Sequence, residues 1–308
     1  MKKLFKLIIY KFIELSFKFE KALKIKGLGY YIIRWEIIRN YRFFMHKEID
    51  LKDPKDLNEK INWLKLNDDY HKWALLADKY RVREFIESKG LKDILIPLYG
   101  VWDSADKIEL ESLPSSFVLK TNHGSGDVII VRDKNFFDMT SATKKLNDFL
   151  KMPYGVGSGE PHYLFIEPKV VAEKLLTSTD SFSTSLIDYK IWCFNGQPHH
   201  VWACYSRTKK EVKVETYDLD WRHHPENSVF NDHYVDGGGV VPKPKNFDRM
   251  LEIARILSSG FKQVRVDLYN IDGTIYFGEM TFTGNGGYMD FYTSSFLREM
   301  GQMIDINN

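Results

Sequence analysis

The 308 residues are 44% hydrophobic, 15% aromatic and 28% charged, which suits one large or two to three small globular domains and excludes a low-complexity chain. A formal net charge of +2 gives no general case for nucleic-acid binding, and no run of about 18 apolar residues exists to span a membrane. The charge is uneven: residues 1–47 hold 12 Lys or Arg against 3 Glu, so a basic segment precedes a mildly acidic body.

Residues 4–23 read as a helix. Ile8, Phe12, Leu15, Phe19 and Ala22 recur on one face, opposite Lys11, Glu14, Lys18 and Lys21. That pattern suits two roles: docking on the body through the apolar face, or lying in the interface of an anionic membrane. The next run, "YYIIRWEIIRNYRFF", suits either. The start resembles a signal peptide only in "MKK", because Lys6, Lys11 and Glu14 interrupt any apolar stretch. "DLNE" at 56–59 is a capping box leading into "KINWLKL". "KWALLADKYRVREFIESKG" is expected to form one helix, stopped at Gly90.

From about residue 94 the period changes. "ILIPLYGVW", "SFVLKT" and "DVIIVRD" read as strands, "SATKKLNDFLKM" as a helix, and "PKVVAEKLL", "DYKIWCFNG", "PHHVWACYSR" and "KVETYDLDW" as strands again. A helix from about Asn246 to Ser259 precedes a final hairpin, and 153–161 and 236–245 are loops. Mixed elements with mostly antiparallel signals predict an α+β fold. Cys193 and Cys204 flank "NGQP". A tight hairpin there places Cys193 opposite a residue near 200, so no cross-strand disulfide is expected and a reducing cytoplasm fits.

The final hairpin, "RVDLYNIDGTIYFGEMTF", carries an acid in each strand. A three-residue loop 271–273 would pair Asn270 with Thr274 and set Asp267 against Phe277, with Glu279 one diagonal step away. Arg265, Asp267, Phe277, Glu279 and Thr281 then share one face, and Val266, Leu268, Tyr276, Met280 and Phe282 the other. A two-residue Asp-Gly turn would shift the parity and separate the acids. Two neighbouring carboxylates suit Mg²⁺, which takes one or two such ligands plus phosphate oxygens; a salt-bridge patch around Arg265 is the other reading.

"SSFVLKTNHGSGDVIIV" places Lys120 at the end of an apolar strand, ahead of the Gly-rich stretch His123, Gly124, Ser125 and Gly126. It is neither a Walker A motif nor a dinucleotide fingerprint, since no Gly-Lys-Ser/Thr closes it and a strand follows. Such a loop can fold its N–H groups over phosphates or be an ordinary hairpin. Lys79 and Lys190 are lone cations in apolar surroundings, a pattern common to snorkelling surface lysines. The nine His and two Cys give no zinc spacing, and no Gly-x-Ser-x-Gly elbow is present. Asp218-x-Asp220 has the form by which many nucleotide-sugar glycosyltransferases hold a metal.

Taken in order, these pieces resemble the ATP-grasp superfamily, and "LLADKYRVREFI", "VLKTNHGSGD", "DYKIWCFNGQP" and "FGEMTF" look most like its TupA-like branch, associated with teichuronopeptide and surface-polysaccharide biosynthesis. The resemblance implies two α+β lobes clasping ATP behind the N-terminal basic helical segment. It implies segments at 1–47 (basic helical), 48–114 (N-terminal subdomain), 115–178 (lid subdomain) and 179–308 (catalytic subdomain). Lys79, Lys120 and the loop 123–126 would bind phosphates. Glu173, Lys174, Leu175 and Leu176 would hold adenine. Asp267, Glu279 and Thr281 would bind Mg²⁺, and Arg265 and Lys190 would be catalytic. Where many ATP-grasp ligases carry Asn two positions after the metal Glu, this chain has Thr281, with Asn285 nearby.

The implied activity is ATP-dependent amide formation through an acylphosphate, between a uronic-acid carboxylate of a glycan or its precursor and an amine. It is expected in the cytoplasm, with the N-terminal helix on the inner membrane face. The alternatives are a metal-dependent glycosyltransferase built on Asp218 and Asp220, and an inactive membrane-surface scaffold.

Overall fold

The computed structural model describes residues 2–177 and 181–306. In chain order the elements are α1 (Lys2–Ala22), α2 (Leu28–Met45), α3 (Leu57–Asn67), α4 (Tyr70–Ala77), α5 (Val82–Ser88), β1 (Leu98–Trp102), β2 (Phe117–Thr121), β3 (Ile129–Val131), α6 (Met139–Leu150) and β4 (Val170–Glu173). There follow β5 (Asp188–Phe194), β6 (Gln197–Tyr205), β7 (Val212–Tyr217), β8 (Tyr234–Asp236), α7 (Phe247–Ser258), β9 (Gln263–Ile271), β10 (Thr274–Thr281) and α8 (Ser294–Gln302). The class is α+β, as the sequence predicts. The chain divides into two compact units: residues 1–37, 68–85 and 96–176, and residues 38–67, 86–95 and 177–308.

The first unit is built on an antiparallel sheet ordered β1-β4-β2-β3. Strand alternation sends Phe117, Leu119, Val170 and Ala172 into a core closed by Leu146 of α6. Val118, Lys120, Val171 and Glu173 therefore share the opposite face. The helix expected over 72–90 is broken. At Asp78 the backbone turns to φ −70°, ψ 110°, and its Oδ1 accepts the N–H groups of Tyr80 (2.8 Å) and Arg81 (3.2 Å). A short carboxylate that takes its own downstream donors competes with the helix ladder, so α4 stops and Lys79 stands in a turn.

Helix α1 docks, but not through the face the periodicity favours. Ile13 and Phe17 are buried, and Phe17 meets the ring edges of Tyr70 and Phe165 at 5.6 and 6.3 Å. Ile8, Phe12, Leu15 and Phe19 lie outward at 57–64% exposure. The helix has two apolar faces, and the one that also carries Glu20 goes inward. That carboxylate accepts the N–H groups of Gly29 (2.6 Å) and Tyr30 (2.8 Å), donors that the first turn of α2 leaves without a helical partner. Gly29 has to be glycine there, because a Cβ would stand 2.6 Å from the backbone nitrogen of Phe17.

The second unit carries six strands ordered β10-β9-β5-β6-β7-β8, antiparallel except for the β7–β8 pair. Helix α7 packs on β5, β6 and β9, covering the face of Ile191, Cys193, Val264, Val266 and Leu268. The residues between them face the other way. The capping box at 56–59 is present: Asp56 Oδ1 accepts the Glu59 N–H at 2.9 Å, and Glu59 Oε2 accepts the Asp56 N–H at 3.4 Å. Helix α3, which it starts, packs on α8, an element the sequence pattern did not announce. Asn195 and Gly196, both at positive φ, close a two-residue turn between β5 and β6. Cys193 pairs with Pro198 and Cys204 with Asp188, so the two thiols are free and apart. Burial pushes each up to about 12, which leaves no thiolate at neutral pH.

Candidate functional site

Within the first unit the phosphate-binding candidates converge on the end of β2. The Lys79 N–H donates to Asn122 O (3.1 Å) and its Nζ to Gly124 O (2.6 Å), while Asn122 Nδ2 donates to Asp78 Oδ1 (2.9 Å). The turn after α4 and the Gly-rich loop thus hold each other. The base of that loop is tight. Asp127 Oδ2 accepts the Thr121 N–H (3.1 Å), and a Cβ on Gly124 would come within 2.7 Å of that carboxylate. The tip is open: Ser125 and Gly126 are exposed, and Gly126, at φ +79°, has nothing near it. His123 is buried, and burial holds its imidazole below its ordinary value, so it is neutral at pH 7.

Lys120 Nζ lies 2.5 Å from Glu173 Oε2, and Arg83 Nη1 lies 3.8 Å from Glu173 Oε1. Val118 is the register partner of Glu173, which sets Lys120 one diagonal step away on the same face. The Lys174 N–H is committed to Pro97 O at 2.9 Å. Leu175 is half-buried and Leu176 buried. Glu173 is therefore first of all the anchor of a half-buried lysine. Glu173→Gln is expected to destabilise the fold by about 1–3 kcal/mol, since it leaves Lys120 without its counter-ion. Thermal melting of the two proteins checks this, and an unchanged midpoint would contradict it.

The second unit holds the acidic hairpin, and its register differs from the expected one. The turn has two residues, Asp272 and Gly273, at φ 51° and 92°, with Thr274 opposite Ile271. That parity runs as far as Phe277 opposite Leu268, which turns Phe277 to the core and not to the face of Asp267, and continued it would set Glu279 opposite Val266, also facing the core. A β-bulge at Gly278 restores the site: Glu279 pairs directly with Asp267, and Thr281 with Arg265. Asp267 and Glu279 are thus closer partners than the three-residue loop would have made them. Gly278 allows this, since a Cβ would stand 2.9 Å from Asp267 O.

Strand β5 completes the arrangement. Lys190 pairs with Asp267 across β5 and β9, so Lys190, Asp267 and Glu279 form one rung over three strands, beside the rung Trp192, Arg265 and Thr281. Lys190 Nζ reaches Asp267 Oδ2 at 2.6 Å and Asp188 Oδ2 at 2.5 Å. Arg265 grips Asp267 with Nε to Oδ1 and Nη2 to Oδ2, both 2.7 Å, and reaches Glu279 Oε1 at 3.5 Å. The Thr281 hydroxyl accepts from Arg265 Nη2 (3.1 Å) and donates to Glu279 Oε1 (3.0 Å). Lys190 is no snorkelling surface residue here. It is 8% exposed, against 1% for Asp267.

The electrostatics follow from that burial. Desolvation pushes the Asp267 carboxyl up, but Arg265 and then Lys190 outweigh it and hold it below the usual carboxylate range. Desolvation pushes Lys190 down, and Asp188 and Asp267 more than reverse it, so the ammonium stays charged. The Asp188 carboxyl is raised, by burial first and by Asp267 beside it. Asp188 is the residue that sequence reasoning missed; its only signal was its place two before Lys190 on one strand.

Three carboxyl groups, Asp188, Asp267 and Glu279, here face two cations, Lys190 and Arg265. Asp188 Oδ1 is buried without a hydrogen-bond partner, and the Glu279 side chain is 40% exposed. Hard oxygen donors with one open carboxylate fit Mg²⁺ that also binds phosphate oxygens. Among the described residues no group of three or more His, Cys, Asp or Glu side chains is placed to hold a metal ion by itself. Thr281 bridges Arg265 and Glu279, an orienting position. Asp218 Oδ1 accepts the N–H groups of Asp220 (2.9 Å) and Arg222 (2.8 Å), so the Asp-x-Asp pattern closes a turn.

Residues 59–305 match the family model described as TupA-like ATPgrasp. No curated protein matches the chain. Among solved structures, the D-alanine–D-alanine ligase of Bacillus anthracis is similar at 17% identity and a TM-score of 0.40, covering 68% of this chain and 57% of that one. The D-alanine–D-alanine ligase of Helicobacter pylori is similar at 14% identity and 0.39, covering 75% and 62%. The phosphoribosylamine–glycine ligase of Thermotoga maritima is similar at 11% and 0.40, covering 74% and 50%. The chain spans less than two thirds of each of these proteins, and at such scores nothing about its chemistry rests on them. The family match stands on its own: it covers most of the chain and contains both lysine regions, the Gly-rich loop and the acidic hairpin, and this protein belongs to the TupA-like ATP-grasp family.

Proposed function

We propose that this protein is an ATP-dependent carboxylate–amine ligase that attaches an amine to a uronic acid of a cell-surface polysaccharide or its precursor. Family membership supports the ATP-dependent ligase class. The observation that carries the chemistry is the rung Lys190–Asp267–Glu279 with Arg265 beside it, a preorganised set of charges on a rigid sheet. Such sets catalyse phosphoryl transfer by positioning and charge neutralisation.

In this reading Lys79 and Lys120 neutralise phosphate charge, and the open tip at Ser125 and Gly126 covers it with backbone N–H groups. Leu175, Leu176 and the backbone after Glu173 receive the adenine. Asp267 and Glu279 would hold Mg²⁺, which would supply positive charge to screen phosphate oxygens. Thr281 fixes the orientation of Glu279 through its hydroxyl. The substrate carboxylate oxygen attacks the γ-phosphorus, the bond to the β-phosphate oxygen breaks, and ADP leaves. The amine then attacks the acyl carbon, Arg265 stabilises the tetrahedral oxyanion, and the carbon–oxygen bond to phosphate breaks. The amine gives up a proton, and an amide and inorganic phosphate remain.

Incubation with ATP, Mg²⁺, hydroxylamine and glucuronic or galacturonic acid, free and as oligosaccharide, tests this, because hydroxylamine traps an acylphosphate as a hydroxamate. The expected result is hydroxamate matched mole for mole by ADP. ADP release without hydroxamate across the uronate series would rule out the uronic-acid assignment. No ADP with any carboxylate would rule out the ligase.

A further inference from the structure

Helix α1 leaves its larger apolar face uncovered. Ile8, Phe12, Leu15 and Phe19, one every three to four residues, are each more than half exposed, while Ile13 and Phe17 on the opposite side make the packing contacts. The pattern continues into α2, where Tyr31 and Trp35 are more than half exposed and Tyr30, Ile33 and Ile37 are buried. A surface helix ordinarily shows solvent its polar side. Here two successive helices turn aromatic and aliphatic side chains outward, the kind of exposure that marks an interaction surface.

The charge beside these stripes says what covers them. Every acid between residues 6 and 37 is buried: Glu14, Glu20 and Glu36 are each at 7% exposure or less. Glu14 is spent on Lys11 (2.7 Å) and Lys18 (2.6 Å), and Glu20 on backbone donors of α2. Lys6, Lys11, Lys24, Lys26 and Arg34 are exposed. The charged atoms this segment shows to solvent are thus of one sign. A second copy of the same surface would bring cation against cation, and a nucleic acid would have little use for the leucines and phenylalanines. An anionic lipid surface satisfies both features: apolar side chains enter the acyl boundary and lysines meet the headgroups. Among the described residues no helix is long and apolar enough to cross a membrane, so the contact is one of lying on the surface.

We propose that the outward faces of α1 and of the start of α2 form a peripheral docking surface for anionic phospholipid bilayers. It is independent of the ligase reading.

The test is co-sedimentation of the full chain with vesicles of phosphatidylcholine alone and of phosphatidylcholine with phosphatidylglycerol, beside a Phe12→Ser/Leu15→Ser/Phe19→Ser variant and a Lys24→Gln/Lys26→Gln variant. These side chains point outward, so circular dichroism should match wild type. Wild type is expected to bind the anionic vesicles and to be released by added salt. The triple serine variant should lose binding by roughly tenfold or more, and the glutamine variant should lose a smaller part. Equal binding to both vesicle types would overturn the anionic assignment. No vesicle binding, with a dimer in sedimentation equilibrium that the serine variant dissociates, would overturn the lipid assignment in favour of a second copy.

Discussion

Asp267→Asn is expected to lower ATP turnover by roughly 10²–10³-fold, the size associated with removing one preorganised charge from a transition-state clamp. The substitution keeps the shape of the side chain and removes the charge that Arg265 and Lys190 both bind. It therefore has a structural cost as well. Breaking a buried ion pair by neutralising one partner costs about 3–5 kcal/mol, because the remaining charges stay buried. Glu279→Gln separates the two effects. Glu279 is 40% exposed and touches Arg265 only at 3.5 Å, so its loss should cost under about 1 kcal/mol while lowering turnover comparably. Melting curves and ADP release on wild type and both variants, below the lowest melting point, check the pair. A Glu279→Gln enzyme with near-normal turnover would remove Glu279 from the site.

The same ion pairs fix a pH dependence. The folded-state Asp267 carboxyl lies below its unfolded value, so its stabilising contribution is complete above the unfolded value, near pH 4. It is lost as pH falls through the lower folded value. The stability gap between wild type and Asp267→Asn should accordingly be constant near neutrality and close in acid below about pH 4.

Gly278→Ala should be nearly as damaging to turnover without touching a charged group. The added methyl would meet Asp267 O at 2.9 Å, and relief requires backbone movement at the bulge that sets Glu279 opposite Asp267. Overpacking of this kind costs about 1–3 kcal/mol. Shifting a ligand by about an ångström costs about 10²-fold in rate. Folded Gly278→Ala with wild-type turnover would show that the bulge does not matter to the chemistry.

The hairpin also shows how far the sequence could be read. Its strands, its acids and their shared face were all legible, but the route to that face was not. The three-residue loop gave the right face for the two acids but the wrong partner for Asp267: the shorter turn and the bulge each shift the register by one, and the two shifts add to two, which restores the parity and sets Glu279 opposite Asp267. The only trace of the bulge was a glycine inside a strand. Helix α1 poses a similar ambiguity. Two apolar stripes satisfy the helical period, and periodicity does not say which one finds the Tyr70 and Phe165 rings. The break after Ala77 came from one side chain, Asp78, competing for backbone donors, which a hydrophobic pattern does not register. Asp188 escaped because a carboxylate at the start of a strand looks like a solvated end. The strand itself sets it beside Lys190, but only the pairing of β5 with β9 brings it to Asp267. The elements were visible because they follow local chemistry, and the site was partly hidden because it depends on register between distant strands.

Calorimetric titration with ATP, in the presence and absence of Mg²⁺, on wild type and Asp267→Asn, tests the central claim most directly. One saturable site is expected in wild type, weakened roughly tenfold or more both by withholding Mg²⁺ and by the substitution. Absence of binding, or binding indifferent to both Mg²⁺ and Asp267, would contradict it.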